Sequence, residues 1–318
     1  MNTILISHEV DDKSIPLLHV TLKEGMEEAL DVIHQLHPQG YHIDLETLKN
    51  LIQKEFQIDK ICKITGRVVY KSKDVIYYQN GKIHRENGPA VIKANGTEEW
   101  YRYDKLHRKG GPALATKDGL EEWYQNGLRH RGNGPAIIHT DGAQEWYYNG
   151  RRHREDGPAI IFSDNTQEWY QDGRRHRQNH PAVIHPDGQQ EWWYCGRRHR
   201  EDGPAIIFPN GQECWYYSDK LHKGDGPAII HPNGQQEWFC HGRRHREDGP
   251  AILYPGKGET WYFYGQLHRK DGPAVVSEKG LQKWFFYGQL HRKDGPAVIN
   301  PDGTQEWWNN GNKIIPTT

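Results

Sequence analysis

The repeated histidines are the residues whose type and spacing most readily suggest chemistry. Imidazole is a common metal ligand and a general acid or base near neutral pH. In a stacked hairpin array, however, successive copies would stand about 9–10 Å apart, whereas a zinc ion lies about 2 Å from each ligand. The spacing therefore predicts no metal site and favours a turn-bracing hydrogen bond or stacking against tryptophan. Ten of the 20 histidines recur every 23 residues: His84, His107, His130, His153, His176, His199, His222, His245, His268 and His291.

Tryptophan recurs with the same interval. Rings in register on neighbouring strands form a ladder, which more often holds a thin sheet together than binds a ligand. We therefore interpret the repeated tryptophans and histidines as a structural ladder. Tyr77 occupies the same phase ahead of Trp100, Trp123, Trp146, Trp169, Trp192, Trp215, Trp238, Trp261, Trp284 and Trp307.

Arginines surround the repeated histidines, and four repeats contain Arg-Arg-His-Arg. In one stripe flanked by aromatic rings, they would suit a phosphate backbone or another anionic surface. Alternatively, they pair with the glutamates that precede the repeated tryptophan. Those glutamates are Glu99, Glu122, Glu145, Glu168, Glu191, Glu237 and Glu306. The candidate binding stripe comprises Arg151, Arg152, Arg154, Arg174, Arg175, Arg177, Arg197, Arg198, Arg200, Arg243, Arg244 and Arg246.

No catalytic constellation stands out in the sequence. A glycine-rich phosphate loop, a G-x-S-x-G elbow, an H-E-x-x-H helix and clustered C-x-x-C pairs are all missing. His8, Glu9, Asp11, Asp12 and His19 could be drawn together as acid–base or metal groups, but scattered polar residues near a terminus are usually solvated. We therefore expect no catalytic residues and no cofactor, with the N-terminal segment as the one place where an activity could lie.

Residues 1–76 differ in composition from the rest of the chain. They contain 3 of the 34 glycines, 2 of the 18 prolines and no tryptophan. Apolar residues at helical spacing predict amphipathic helices over Leu22–Leu36 and Asp44–Phe56. Because a repeat array needs its terminal edge covered, we interpret this segment as a helical or α/β cap. Its other predicted elements are extended segments at Thr3–Ser7, Leu17–Thr21 and Ile61–Tyr70.

Residues 77–318 contain ten complete 23-residue repeats, from Tyr77 to Glu306, and a truncated eleventh. Asn-Gly, Asp-Gly and Asp-Gly-Pro mark turns within a repeat. Two architectures fit: a meander with one two-stranded hairpin per repeat and the Arg-Arg-His-Arg piece in a long connection, or a β-solenoid with one three-sided coil per repeat. Asn-Gly and Asp-Gly turns reverse the chain between paired strands, so hairpins are favoured. We predict a mainly β fold, an elongated array of ten 23-residue β-hairpin repeats.

The fifth repeat departs from the turn pattern. Asn179-His180-Pro181 stands where most repeats have Asp-Gly-Pro. A turn that needs glycine accepts histidine only with backbone strain or a local change of path. We expect one of the two at His180.

The repeat resembles a known family. The run Asn80-Gly81-Lys82-Ile83-His84 is similar to the N-G-K-x-H turn of MORN repeats, whose unit is also about 23 residues. The text W-Y-x-N-G-x-x-H-R-x-D-G-P-A resembles a MORN-like variant found in large DNA viruses, phages and some bacteria. The resemblance covers residues 77 to 315 and implies a viral or bacterial repeat protein.

Composition limits the compartment and the partner. The chain has 41 Lys and Arg against 42 Asp and Glu, which excludes a globally basic surface. No apolar run of about 18 residues predicts a transmembrane segment, no signal sequence is visible, and the four cysteines show no paired spacing, which favours a reducing cytoplasm, that of the host if the protein is viral.

We expect a non-enzymatic repeat scaffold that mediates protein–protein interaction. One alternative is an anion binder that holds nucleic acid or phospholipid headgroups, weakly, through the Arg-Arg-His-Arg stripe. Another is an N-terminal effector domain delivered by the array.

Overall fold

The architecture was taken from a computed structural model that describes residues 2–10, 13–22, 66–69 and 72–315, with the side chains of residues 66–67 and 72–315. The chain divides into two compact units, Met1–Arg151 and Arg152–Thr318. The predicted helices over Leu22–Leu36 and Asp44–Phe56 lie outside the described residues. No helix long and apolar enough to cross a membrane occurs in the part of the chain that is described.

Each 23-residue repeat contains four short strands, which we name a, b, c and d in chain order. In the fifth repeat, strand a (Tyr170–Gln171) pairs with strand b (Arg174–Arg175), and strand c (Val183–Ile184) pairs with strand d (Gln190–Glu191). Both pairs are antiparallel hairpins. Strand d also pairs with strand c of the following repeat, as Glu191 does with Ile206.

The strands have the following bounds. Strand a is Val75–Gln79, Tyr101–Arg102, Tyr124–Gln125, Tyr147–Tyr148, Tyr170–Gln171, Trp193–Tyr194, Tyr216–Tyr217, Phe239–Cys240, Tyr262–Phe263 and Phe285–Phe286. Strand b is Lys82–Ile83, Lys105–Leu106, Leu128–Arg129, Arg151–Arg152, Arg174–Arg175, Arg197–Arg198, Lys220–Leu221, Arg243–Arg244, Gln266–Leu267 and Gln289–Leu290. Strand c is Val91–Ile92, Leu114–Ala115, Ile137–Ile138, Ile160–Ile161, Val183–Ile184, Ile206–Ile207, Ile229–Ile230, Ile252–Tyr254, Val275–Ser277 and Val298–Ile299. Strand d is Glu98–Glu99, Glu121–Glu122, Gln144–Glu145, Gln167–Glu168, Gln190–Glu191, Glu213–Cys214, Gln236–Glu237, Gly258–Thr260, Gln282–Lys283 and Gln305–Asn309, and the last of these pairs with Asn312–Ile314.

The predicted repeat of β-hairpins is confirmed, with one correction. Each repeat carries two hairpins rather than one, because the first two residues of the Arg-Arg-His-Arg piece form strand b instead of belonging to a long connection. The turn explains this: in the fifth repeat Asp172 and Gly173 have φ values of 49° and 82°, the geometry of a type I′ turn that lets two paired strands follow each other directly. The pairings of the described strands are antiparallel, unlike those of the β-solenoid alternative.

The core of each repeat is thin and is built on the alanine that follows proline. Ala182 is 0% exposed, and its backbone N–H donates to the Glu191 carbonyl at 2.8 Å while its carbonyl accepts from the Trp169 N–H at 2.8 Å. Val183, the first residue of strand c, is buried beside it at 3% exposure. A larger side chain at the alanine would have no room.

The N-terminal segment contributes strands to the sheet. Asn2–Val10 and Lys13–Leu22 form an antiparallel hairpin, which confirms the extended segments predicted there. Lys13–Leu22 pairs with Gly66–Val69, and Gly66–Val69 pairs with strand a of the first repeat, Val75–Gln79. The edge of the first repeat is therefore paired, as a capping segment requires.

In eight repeats the arginine after the repeated histidine folds back over a glycine, and in the seventh Lys223 takes the place of the arginine. In the sixth repeat a Cβ added to Gly203 would lie 2.9 Å from Cζ of Arg200. The Arg200 guanidinium is 4.0 Å from the centre of the Trp192 ring, and its Nη1 donates to the Pro204 carbonyl at 3.2 Å. We call this contact between arginine, tryptophan and the proline carbonyl the arginine clamp.

The fifth repeat keeps the arginine clamp although histidine replaces the glycine. Arg177 lies 3.9 Å from the Trp169 ring centre and donates to the Pro181 carbonyl at 3.2 Å. Asn179 has a φ of 61°, whereas His180 is not in the left-handed region. Of the two outcomes expected from the sequence, the local change of path is therefore the one observed, and asparagine, which tolerates positive φ, carries it.

Replacing Gly203 with alanine should open the arginine clamp. The backbone at Gly203 accepts alanine, but the new Cβ displaces the Arg200 guanidinium from the Trp192 ring and the Pro204 carbonyl, at a cost of about 1–2 kcal/mol. Gly224→Ala is the matched control, because nothing lies within 4 Å of a Cβ there. Urea unfolding of both variants measures the difference, and equal stabilities would show that the clamp contributes nothing.

Candidate functional site

The tips of the a–b hairpins form the most exposed aromatic surface of the described residues. We define the tip residues of a repeat as the last residue of strand a and the residue after it. In the ninth and tenth repeats they are Phe263 with Tyr264 and Phe286 with Tyr287. Tyr264, Phe286 and Tyr287 are 46%, 46% and 45% exposed.

The second tip residue adopts a left-handed conformation in every repeat, whatever its type. Asparagine suits this conformation, but the same position is Cys195 with φ 50°, His241 with φ 48° and Tyr264 with φ 45°. Bulky residues with positive φ are unusual and mark positions worth a functional hypothesis. The hairpin turn holds them in this geometry.

The repeated histidine braces the tip of the following repeat. Its Nδ1 accepts the backbone N–H of the second tip residue, for example from Tyr287 to His268 at 3.3 Å. This confirms the turn-bracing hydrogen bond predicted from the sequence. Nδ1 of His199 is the exception and is buried without a partner. The bond occurs at 3.1 to 3.4 Å for His84, His107, His130, His153, His176, His222, His245, His268 and His291.

The repeated histidines and the tip rings also contact each other. His245 stacks on Tyr264 at 3.9 Å between ring centroids, and His268 stacks on Tyr287 at 4.3 Å. In Arg152–Thr318 these contacts form two runs, which together we call the ring ladder. The first run is His176, Tyr194, His199, Tyr217, His222 and His241, and the second is His245, Phe263, Tyr264, His268, Phe286, Tyr287 and His291.

The repeated tryptophans contact the arginine clamp rather than the histidine rings. Arg108 lies 3.8 Å from the Trp100 ring centre and Arg246 lies 4.2 Å from that of Trp238. The sequence pattern showed that these residues share one interval, but it did not indicate that the basic residue after histidine is the partner of tryptophan.

The twelve arginines of the candidate stripe fall into three environments. The arginines that follow histidine contact the backbone or an aromatic ring. Arg154 donates to the Pro158 carbonyl, and the other three lie over tryptophan rings. Those at the second position of strand b face inward. Those at the first position are exposed. The three groups are, in that order, Arg154, Arg177, Arg200 and Arg246; Arg152, Arg175, Arg198 and Arg244; and Arg151, Arg174, Arg197 and Arg243.

Three of the inward arginines, Arg175, Arg198 and Arg244, pair with buried glutamates of strand d. Arg175 Nη2 donates to Glu168 Oε1 at 2.7 Å, and the Tyr170 hydroxyl donates to Glu168 Oε2 at 2.8 Å. Glu168 is only 6% exposed. Arg244 pairs with Glu237 in the same way at 3.0 Å, but Phe239 stands in place of the tyrosine, and Nε2 of His231 lies 3.1 Å from the carboxylate. The complementary ladders considered from the sequence are thus present at these positions.

The outward arginines share a face with the tip rings. In the sixth repeat Arg197 is the cross-strand partner of Tyr194, and in the seventh Lys220 is the partner of Tyr217. Cross-strand partners lie on the same face of a hairpin. The tips therefore combine exposed rings with exposed cations.

The sequence analysis also considered five polar residues near the N-terminus as acid–base or metal groups. The side chains of His8, Glu9 and His19, and all of Asp11 and Asp12, fall outside the described residues.

No protein-family model matches the chain, and no curated protein matches it.

Replacing the inward arginine should cost more than replacing its outward neighbour. Arg175→Gln leaves the buried Glu168 carboxylate without its cation, for an expected loss of about 1–3 kcal/mol. Arg174→Gln is the matched control, with an expected change within about 0.5 kcal/mol, since glutamine occupies the same position at Gln266 and Gln289. Urea unfolding measures both, and equal losses would contradict the pairing.

Stability should fall in mild acid. Burial lowers the pKa of His107, His222 and His268 below the ordinary value, so the unfolded chain binds protons that the folded chain does not. Stability is then fully present above about pH 6.5 and declines as pH falls from there through the lower folded-state pKa.

A histidine variant tests this dependence. In His268→Gln the melting temperature should depend less on pH between about 7 and 5 than in the wild type, while the exposed His180→Gln should keep the wild-type dependence. A flat wild-type profile would refute the lowered pKa of His107, His222 and His268.

Proposed function

We propose that the chain is a non-enzymatic repeat scaffold that binds a protein partner through the tips of its a–b hairpins. The observation that carries the proposal is the exposure of large rings at equivalent positions. Tyr194 is 57% exposed and Tyr217 is 51% exposed. Tyrosine, phenylalanine and arginine are enriched in protein interfaces, and clustered exposed apolar side chains mark interaction sites.

The tip geometry favours binding because it is fixed in advance. The turn sets the backbone of the second tip residue, the histidine Nδ1 holds its N–H in most repeats, and ring contacts restrain the aromatic side chains of the tips. A partner therefore meets rings that have already lost much of their conformational freedom, which lowers the entropic cost of association. A MORN-like repeat scaffold is consistent with this use.

A second candidate function is anion binding. The outward cations Arg174, Arg197, Lys220 and Arg243 occupy equivalent positions in four consecutive repeats and are exposed. Rings beside them would stack on the bases of a single strand. The burial of the inward arginines against glutamate leaves few cations for this purpose, so we expect weak binding of nucleic acid or anionic lipid at physiological salt.

The N-terminal effector remains a third proposal, since its candidate side chains lie outside the described residues. For the compartment, we propose a reducing cytoplasm, that of the host if the protein is viral. The free thiols of Cys195, Cys214 and Cys240 support this assignment.

A three-site variant tests the protein-binding proposal. Tyr194→Gln, Tyr217→Gln and Phe286→Gln remove exposed rings, and glutamine already stands at this position in Gln125 and Gln171. The control combines Pro186→Ser, Pro209→Ser and Pro232→Ser at exposed c–d turns, where the fourth repeat has serine.

The full chain serves as bait in nuclease-treated extract of the native host, at salt of about 200 mM, followed by titration of the purified captured protein. We expect the ring variant to lose at least tenfold in affinity and the control to bind as wild type. Equal binding by all three proteins contradicts the proposal. Sub-micromolar binding of single-stranded nucleic acid that weakens by about three orders of magnitude between 50 and 200 mM salt would favour the anion binder instead.

A further inference from the structure

The eighth repeat replaces the usual tip residues with two metal-ligating side chains. Cys240 and His241 stand where the preceding repeat has Tyr217 and Ser218. The repeated histidine of that preceding repeat, His222, lies against them. One donor atom from each of these three side chains lies within 4.8 Å of the other two. The geometry points to a site for a transition-metal ion of the zinc type, held by two imidazoles and one thiolate.

The hairpin fold explains why the three side chains meet. The backbone N–H of His241 points to Nδ1 of His222 at 3.4 Å, the bracing bond that nine of the ten repeated histidines accept. The two imidazole rings are stacked, with centroids 4.4 Å apart and an angle of 7° between their planes. Strand a ends at Cys240, directly beside this pair. The backbone geometry common to all repeats therefore brings these three positions together. In the eighth repeat the two tip residues are cysteine and histidine, which can ligate a metal ion.

The site differs from the array of repeated histidines that the sequence analysis set aside. Successive repeated histidines belong to different repeats and are too far apart to share an ion. Here one repeated histidine is joined by two tip residues of the next repeat. Among the described residues this is the one group of three such donors that lies close enough together.

The donor set selects the class of ion. Imidazole nitrogen and thiolate sulfur suit Zn²⁺ and Co²⁺, whereas Ca²⁺ and Mg²⁺ require oxygen ligands. Ligands of a tetrahedral zinc ion lie about 3.5 Å from one another, so the donors must approach by about 1 Å. His241 is exposed, so its ring has room to move toward the other two donors. Three protein ligands leave the fourth position to water or to a donor from a bound partner.

The electrostatic setting is compatible with a thiolate complex. Arg243 is the cross-strand partner of Cys240, and Lys220 lies in the preceding strand b, with its Cβ 3.8 Å from a Cβ added at Gly242. These cations oppose a bare divalent ion. The Cys240 thiol loses its proton when it coordinates the ion. The site therefore gains only half of the charge of the divalent ion.

Zinc titration of the reduced full-length chain tests the proposal. We expect one Zn²⁺ per chain, and a sulfur-to-cobalt charge-transfer band when Co²⁺ is used as the probe. Cys240→Tyr and His241→Asn should each weaken Zn²⁺ binding at least tenfold. Both variants place at the tip a residue that other repeats carry there, Tyr217 and Asn149, so the hairpin is retained.

The matched control is Cys195→Asn. Cys195 is also a tip thiol beside a repeated histidine, with Sγ 3.9 Å from His176 Nδ1, but it has no third donor. This variant should bind Zn²⁺ as the wild type does. Absence of saturable binding, or equal losses in the Cys195 and Cys240 variants, would overturn the proposal.

Thiol alkylation provides a second measurement that needs no variant. Zn²⁺ should slow the modification of Cys240 at least tenfold and leave Cys195 unaffected, as followed by peptide mass spectrometry of the wild-type chain. Equal protection of both thiols would indicate unspecific binding, and protection of neither would indicate no site. Either result refutes the assignment. Because neither measurement involves a protein partner, its outcome is independent of the proposed scaffold function.

Discussion

The hydrogen bond from a tip N–H to the Nδ1 of the preceding repeated histidine connects one repeat to the next outside the sheet. Strands of two residues cannot hold a hairpin by themselves. From the second repeat onward the a–b hairpin lies apart from the c–d sheet, so its position depends on contacts with neighbouring repeats. The imidazole supplies one such contact and requires a neutral, correctly oriented ring. The backbone N–H of the turn glycine supplies another, as Gly196 does by donating to the Arg175 carbonyl at 2.9 Å. Together they fix the geometry of the exposed tips.

Charge is arranged in layers around this frame. A buried glutamate on strand d accepts from tyrosine and from the inward arginine, as Glu168 does from Tyr170 and Arg175. The arginine after histidine covers tryptophan and binds the proline carbonyl. Among the arginines of the Arg-Arg-His-Arg pieces, only the outward residue of strand b is exposed.

The sequence was sufficient to predict hairpins, because Asn-Gly and Asp-Gly turns are local signals that depend on few residues. It was not sufficient to predict two hairpins per repeat. Arg-Arg-His-Arg looked like a charged connection, since two-residue strands have no alternation of polar and apolar residues to reveal them. The pairing of glutamate with the second arginine could be considered from composition, but the clamp on tryptophan could not, because it depends on how the chain turns before proline.

The His222, Cys240 and His241 cluster was missed for a similar reason. Its members are separated by the 19 residues from a repeated histidine to the next second tip residue, an offset that becomes meaningful only once the bracing bond is known.

The left-handed second tip position has a consequence for how such a chain can change. Asparagine, aspartate, cysteine, serine, histidine and tyrosine all occupy it on the same backbone. The identity of the side chain there is therefore decoupled from the folding of the repeat that carries it. Under the proposed scaffold function, recognition would change by single substitutions at the tips or by exchange of whole repeats, while the frame that displays the tips stays the same.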